Sequence, residues 1–460
     1  MTSTISRRPA TRLDTVDVAP RWRPRPALPQ PGLTEQALVV ITTFILLHGT
    51  PNIWFRSRAD FLLDSSNPIL VIVELGLIGM AFLRVAGSID HLIAMARSEP
   101  LVYLYAGITF ASIFWSADPG ETIKRSIGFL ALTAYGSYLV MRFPLERTLR
   151  LLALMFGIGA VLNLAFVFGF PDYGVDADGQ WTGVFSQKNG LGFAAALAVP
   201  AMIVAGREST FLRPFFYLGA VAHLVLLVGS DSKTMLVGTV GPVALSVVYR
   251  GFRGRSTLRG AVIISLAGMS VFTLAFATAN IALLAKWLDK DVSLTGRVPL
   301  WETLMPIALD RPFTGYGYGA TFGGFFSPVH EVWIQNQWKP SHAHNALLQT
   351  TLEIGLIGVV LFLVLYFRVI SGAIKLVVIV PRAIGLWPLV FLTTTLLVSI
   401  TESGIAASGL GWVMFVVAAV TVPLHLRHRT ELGYSNDFRT ATHAYTAYRR
   451  LGVPRLRGRS

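Results

Sequence analysis

Ser341-His342-Ala343-His344-Asn345, then nine residues, then Gly355-Leu356-Ile357-Gly358, is the stretch of this chain whose residue types come nearest to acid–base chemistry. Pro340 and Ser341 read as a helix start, with Ser341 as the N-cap. His344 then falls in the first helical turn, where the positive end of the helix dipole disfavours protonation and leaves the imidazole able to accept a proton. At about 100° per residue, Thr351, Gly355 and Gly358 lie on nearly the face of His344, and small residues there let a neighbouring helix come close. A histidine that only caps a helix at an interface fits the same pattern.

Other chemistry-bearing residues are more scattered. Lys124, Arg125, Lys188 and Lys233 each read, one at a time, as interfacial anchors that snorkel to headgroups, whereas for Arg297 a functional role outweighs the anchor. Glu74 and Glu353 are carboxylates inside apolar segments, a setting that marks functional candidates by default. Glu353 stands half a turn off the face of His344, in a separate pocket. His223 reads as a core histidine. His330 and His342 could join His344 in a metal site, but no carboxylate spacing supports one, and neither a metal nor another cofactor is expected. Gly315-Tyr316-Gly317-Tyr318-Gly319 with Gly323-Gly324 lacks the strand and the Gly-Lys-Ser/Thr of a phosphate loop. It reads as a flexible loop whose rings stack on sugars, as could Trp301, Trp333 and Trp338. Asp172, Asp176 and Asp178 suit sugar hydroxyls, a cation or plain solvent.

The elements that must position these residues are membrane helices. Of 460 residues, 53% are hydrophobic and 14% charged, with mean hydropathy +0.58; a soluble domain carries about 25% charged residues. Apolar blocks long enough to cross about 30 Å of hydrocarbon recur along the chain, and backbone in lipid must close its own hydrogen bonds, so they read as helices. The expected fold is all-α and polytopic, with about 12 transmembrane spans near 37–55, 69–87, 101–117, 126–142, 149–170, 191–206, 213–229, 234–250, 260–285, 345–370, 384–402 and 408–425. Residues 1–36 read as a disordered basic cytoplasmic tail without a cleavable signal, 37–425 as the transmembrane domain, and 426–460 as a second basic cytoplasmic tail. With the N-terminus inside, 28 of the 39 Lys+Arg fall in cytoplasmic regions, as the positive-inside rule expects. The one long loop, 286–344, is then extracytoplasmic and carries Arg297 and His344. The net charge of +14 serves orientation and anionic headgroups rather than nucleic acid. The absence of cysteine excludes disulfides, thiolate zinc sites and a cysteine nucleophile.

A His followed by Asn, nine residues and Gly-x-x-Gly resembles the signature of the O-antigen ligases and Wzy-type exopolysaccharide polymerases, matched here by His344, Asn345, Gly355 and Gly358. Ser116–Thr122 leading to Arg125, Gly183–Gly192, and Thr295-Gly296-Arg297 with Trp301 resemble the family too, so the likeness covers most of 37–425. It implies a GT-C-like, inverting, metal-independent glycosyltransferase in the bacterial inner membrane, its active site periplasmic and its donor an undecaprenyl-diphosphate-linked glycan. On that reading His344 is the base and Arg297 the diphosphate clamp, since a planar guanidinium suits phosphate. Lys124, Arg125, Lys188, Lys233, Asn345 and Trp301 line the substrate pocket, and Lys233 stands where the ligases usually have arginine. The leading expectation is a polymerase joining lipid-linked repeats, with membrane lipids and a chain-length regulator as partners. The alternative from the same chemistry is an O-antigen ligase acting on a lipid A core or protein acceptor. A secondary transporter or lipid flippase would place charge near the midplane on repeated, broken helices, whereas the notable polar residues here gather at the outer boundary.

Overall fold

The computed structural model describes residues 30–48, 89–251, 297–323, 327–330, 340–380, 383–400, 402–403 and 409–431, with positions 76, 79 and 333 standing alone. Two expected spans, 69–87 and 260–285, lie outside the described residues, apart from positions 76 and 79; Glu74, Trp338 and the tails are outside them as well, except 30–36 and 426–431. Of these, 33–36 and 426–431 are helical and so extend the neighbouring spans into the expected tails. The other ten spans coincide with helices. In chain order the longer helices are α1 (Leu33–His48), α2 (Ile89–Ser98), α3 (Pro100–Ala111), α4 (Pro119–Arg142), α5 (Leu145–Gly169), α6 (Lys188–Glu208), α7 (Arg213–Gly229), α8 (Lys233–Gly251), α9 (Arg297–Asp310), α10 (Ala346–Ile379), α11 (Ala383–Val398) and α12 (Gly409–Glu431). Among the described residues the only β pairing is an isolated bridge between Val175 and Trp181. Four segments, Leu145–Gly169, Lys188–Glu208, Ala346–Val377 and Gly409–Leu426, are by themselves long and apolar enough to cross a bilayer. The chain is an all-α, multi-pass membrane protein.

Leu, Ile, Val and Phe surround many of these helices instead of forming one stripe, so the outward faces meet lipid and the inward faces meet other helices. α12 lies against α4 and α10, α6 against α5, α7 and α11, and α8 against α11. An aromatic cluster fills the centre: Trp412 stacks on Phe415 at 5.3 Å and meets Phe129 at 4.4 Å. The Trp412 indole N–H donates to Thr133 Oγ1 at 2.9 Å, so the polar handle of a fully buried ring is satisfied. His223 is a core histidine as expected, its Nε2 held to the Phe156 carbonyl at 2.9 Å.

Two ion pairs mark one end of the bundle. Arg142 of α4 meets Glu35 of α1 through two 2.7 Å bonds, and Arg368 of α10 reaches the buried Glu99 at 2.9 Å. Arg368 lies 13 positions beyond the break at Gly355, about 20 Å of helix further along α10. The start of α10, with His344 beside it, is therefore at the opposite end.

α10 departs from the sequence expectation. Gly355 has φ 68° and ψ −173°, which interrupts the helix. A helical wheel cannot be carried across it, so Gly355 and Gly358 are not a close-packing face shared with His344. Leu356 N–H turns outward to the Pro312 carbonyl at 2.7 Å. A Cβ on Gly355 would fall 2.1 Å from the Phe313 carbonyl carbon, and one on Gly315 (φ 63°) would fall 2.7 Å from the Leu352 oxygen. The break in α10 and the glycine loop thus interlock backbone to backbone. Gly355→Ala combines a glycine-only conformation, costing about 1–3 kcal/mol, with that collision. We expect the variant to lose most of its folded yield on size-exclusion chromatography in detergent.

Candidate functional site

The site is assembled from the start of α9, the start of α10 and the segment after α11. Asn345 caps α10, its Oδ1 accepting from Leu347 N–H and Leu348 N–H at 3.0 Å each. Its Nδ2 donates to the Ile400 carbonyl at 3.3 Å, and Ala346 N–H donates to Ser399 at 3.0 Å. These two bonds draw the end of α11 against the start of α10 and carry Glu402 to His344. The cap corrects two expectations: Ser341 is not the N-cap, and His344 precedes the helix instead of sitting in its first turn. Asn345 is engaged as a cap and tie, not free to line a pocket.

His344 takes φ 49°, a left-handed conformation that a side chain other than glycine adopts rarely. The turn is held from both sides. Ala343 N–H donates to Gln349 Oε1 at 2.8 Å, the Trp301 indole N–H donates to the Ala343 carbonyl at 2.8 Å, and His344 N–H donates to His342 Nδ1 at 3.2 Å. Trp301 is thus tied from α9 to the histidine turn through its N–H.

Glu402 joins the two residues singled out for chemistry. Its Oε1 accepts from Arg297 Nη2 at 2.5 Å and its Oε2 faces His344 Nδ1 at 3.3 Å. The three side chains are only 11–15% exposed; charges so far from water persist only when paired, as these are. Burial alone would push the Glu402 carboxyl up, but the His344 hydrogen bond and the nearby Arg297 guanidinium outweigh it and hold the group below the usual carboxylate range. Its folded pKa being depressed, the stability it contributes is complete above the ordinary carboxylate pKa and is lost as pH falls through the lowered value. In a neutral ring, a carboxylate on Nδ1 favours the tautomer with its hydrogen there and the lone pair on Nε2. The His342 ring lies 3.9 Å from that of His344, and burial, then its neighbour His344, pull its pKa down to about 4.

A second layer connects the glycine loop to this turn. Gly319 N–H and Gln349 Nε2 both donate to Glu353 Oε1, at 3.3 and 2.8 Å, while Gln349 Oε1 holds Ala343. Glu353, expected in a separate pocket, is therefore two hydrogen bonds from the peptide that precedes His344. The loop is not a free sugar platform. Gly317 and Gly319 pack on Ser116, Thr122 and Arg125, Tyr318 lies 5.2 Å from Phe129, and the Tyr316 hydroxyl donates to Asp310 at 2.8 Å. Glu353→Leu would leave two buried donors unmet, about 1–3 kcal/mol each. It should lower turnover and thermal stability together, whereas Glu353→Gln keeps an acceptor oxygen and should stay near wild type in a paired measurement of rate and Tm.

The remaining cations divide. Lys188 and Lys233 open α6 and α8, whose starts are tied by the Ser232–Asn189 hydrogen bond at 3.2 Å. A Cβ on Gly238 of α8 would lie 3.1 Å from Val398 at the end of α11, so Lys233 stands at the same end of the bundle as Glu402. Lys124 and Arg125 pair instead with Glu121 on their own helix, at 3.6 and 2.7 Å. Arg125 also packs on Gly319, whose N–H donates to Glu353, so it adjoins the layer behind the histidine turn. Asp176 Oδ1 accepts from Asp178 N–H and Gln180 N–H, which makes it a turn former. His330 meets Trp333 edge-on at 5.4 Å, and Trp333 packs into the small core of α9 and α10.

Glu402 is the member of this cluster that the sequence did not point to. The signal was present: it is the sole carboxylate between Glu353 and Glu431. It stood within a segment assigned as a span, and nothing local links it to a histidine 58 positions earlier.

Residues 218–363 match the family model described as O-antigen ligase. Over 305 residues the chain is 27% identical to the exopolysaccharide production protein ExoQ of Rhizobium meliloti, covering 62% of this chain and 68% of that one. A Rickettsia conorii protein carrying a polysaccharide-ligase name is 31% identical over 88 residues, 18% of this chain and 21% of that one. The residues matched by the family model include Arg297, Trp301, His344, Gly355 and Gly358, while Glu402 lies beyond them. The chain is thus similar to the O-antigen ligases over residues 218–363 and to ExoQ over 305 residues.

Proposed function

We propose that this protein is a polysaccharide polymerase that joins undecaprenyl-diphosphate-linked oligosaccharide repeats at the outer face of the inner membrane. The observation that carries the reading is one buried carboxylate holding Arg297 on one oxygen and His344 on the other. His344 Nε2 takes the proton of the acceptor hydroxyl. The hydroxyl oxygen then bonds to the anomeric carbon on the face opposite the leaving group, inverting it, while the bond from that carbon to the diphosphate oxygen breaks. Glu402 fixes the tautomer and stabilises the imidazolium, as the acidic member of a catalytic triad does. Arg297, whose fork keeps donors beyond the one on Glu402, meets the charge growing on the diphosphate, helped by Lys233 and Lys188. None of these steps calls for a metal.

The same reading places about 12 spans around the site in a GT-C-like arrangement, both termini in the cytoplasm and the active site in the periplasm. It is supported by the charge bias, by the arginine pairs at the end away from His344, and by the name of the ExoQ relative. The description of the matching family model favours a second reading, an O-antigen ligase that hands finished glycan to a lipid A core or protein. The two differ only in acceptor.

Purified protein incubated with a synthetic diphospholipid-linked repeat and no ion gradient tests both. Products longer than one repeat are expected. Transfer only to an added lipid A core acceptor would make the protein a ligase, and no new glycosidic bond with any acceptor would remove the enzyme reading in favour of transport.

A further inference from the structure

We propose that His342, His344 and Glu402 form a binding site for one divalent transition-metal ion of the zinc type, and that the ion switches the site off. Their ligand atoms lie within 4.8 Å of one another. Glu402 Oε2 and His344 Nδ1 stand 3.3 Å apart. Two ligands bonded to a tetrahedral zinc ion at about 2.0–2.1 Å are separated by about that distance. The ion thus fits where the hydrogen between them now lies. His342 has its Nδ1 engaged by His344 N–H, so Nε2 is the ring nitrogen left for a third bond once the ring turns to the ion. Arg297 occupies Oε1 and leaves Oε2 for the metal, orienting the carboxylate from outside the coordination sphere. Two imidazoles and a carboxylate with a fourth position open suit zinc or cobalt, whereas magnesium demands six oxygens.

Coordination would act through the tautomer. As the ion takes Nδ1, the hydrogen there moves to Nε2 and no proton leaves the ring. Nε2 then carries N–H and cannot accept the proton of a hydroxyl. Binding itself is independent of the function proposed above; the inhibition rests on His344 being the base. The Arg297 charge opposes a cation beside it, so affinity should be micromolar.

The test uses the full chain in detergent without a histidine tag, titrated calorimetrically with zinc chloride alone. We expect one ion per chain and no binding of magnesium. His342→Asn keeps an acceptor in place of Nδ1 but lacks Nε2, and should weaken zinc about ten- to a hundredfold. Whatever its rate without zinc, half-inhibition of that rate should need correspondingly more zinc, reversed by a chelator. Cobalt should give the visible absorption of a tetrahedral ion. Absence of stoichiometric zinc binding, unchanged affinity in His342→Asn or zinc-stimulated transfer would overturn the proposal. Should the variant not fold, a wild-type cobalt spectrum without tetrahedral bands overturns it equally. A chain that binds zinc as predicted yet joins no glycan keeps the metal site and loses the function proposed above.

Discussion

His344→Gln should lower glycan joining by about a hundred- to ten-thousandfold, the range over which a positioned general base contributes, with membrane insertion and Tm near wild type. Glutamine keeps a polar side chain beside Glu402 but has no nitrogen that can bind the acceptor proton. The loss should fall on turnover and leave donor binding intact, because His344 acts on the hydroxyl and not on the diphosphate. Single-turnover assays with a fluorescent diphospholipid donor read both quantities. A variant that turns over normally removes His344 from the chemistry.

Arg297→Ala carries the second large effect, and it has two parts. Removing the guanidinium leaves the Glu402 carboxylate, 11% exposed, without its cation, and breaking a buried pair in this way costs about 3–5 kcal/mol. It also removes a donor set aimed at the leaving group, worth about a further hundred- to thousandfold in rate. The double variant Arg297→Ala with Glu402→Gln separates the parts. With the unpaired charge gone, folded yield should return toward wild type while joining stays absent. Recovery of activity along with folding would reduce Arg297 to a structural counter-ion.

The parts of this protein fixed by short-range physics were legible in the sequence. The long apolar segments became helices because lipid allows little else, and His344 and Arg297 were chosen by residue type and neighbourhood and then found on the two oxygens of one carboxylate. What stayed hidden depends on distant chain meeting in space. Asn345 looked like a pocket residue because its tie to Ile400 spans 55 positions. Gly355 looked like a small residue on a helix face, since a positive φ cannot be read without the loop at Phe313 that fills the break. Lys124 and Arg125 looked free because an exposed pair with Glu121, one turn away, carries little weight on a sequence, yet it is where the structure holds them. Glu353 looked remote by helical phase, and its link to His344 runs through a side chain, Gln349, that no periodicity marks.

Joining at the outer face requires the cluster on the periplasmic side of the membrane. The chain has no cysteine, so single thiols at Ser341 and Ser403, beside the histidine turn and Glu402, can be compared with one at Thr210 between α6 and α7. In intact spheroplasts an impermeant maleimide should label the first two at once and Thr210→Cys only after the membrane is opened. Labelling in the reverse order would put His344 in the cytosol, away from any acceptor glycan, and contradict the account.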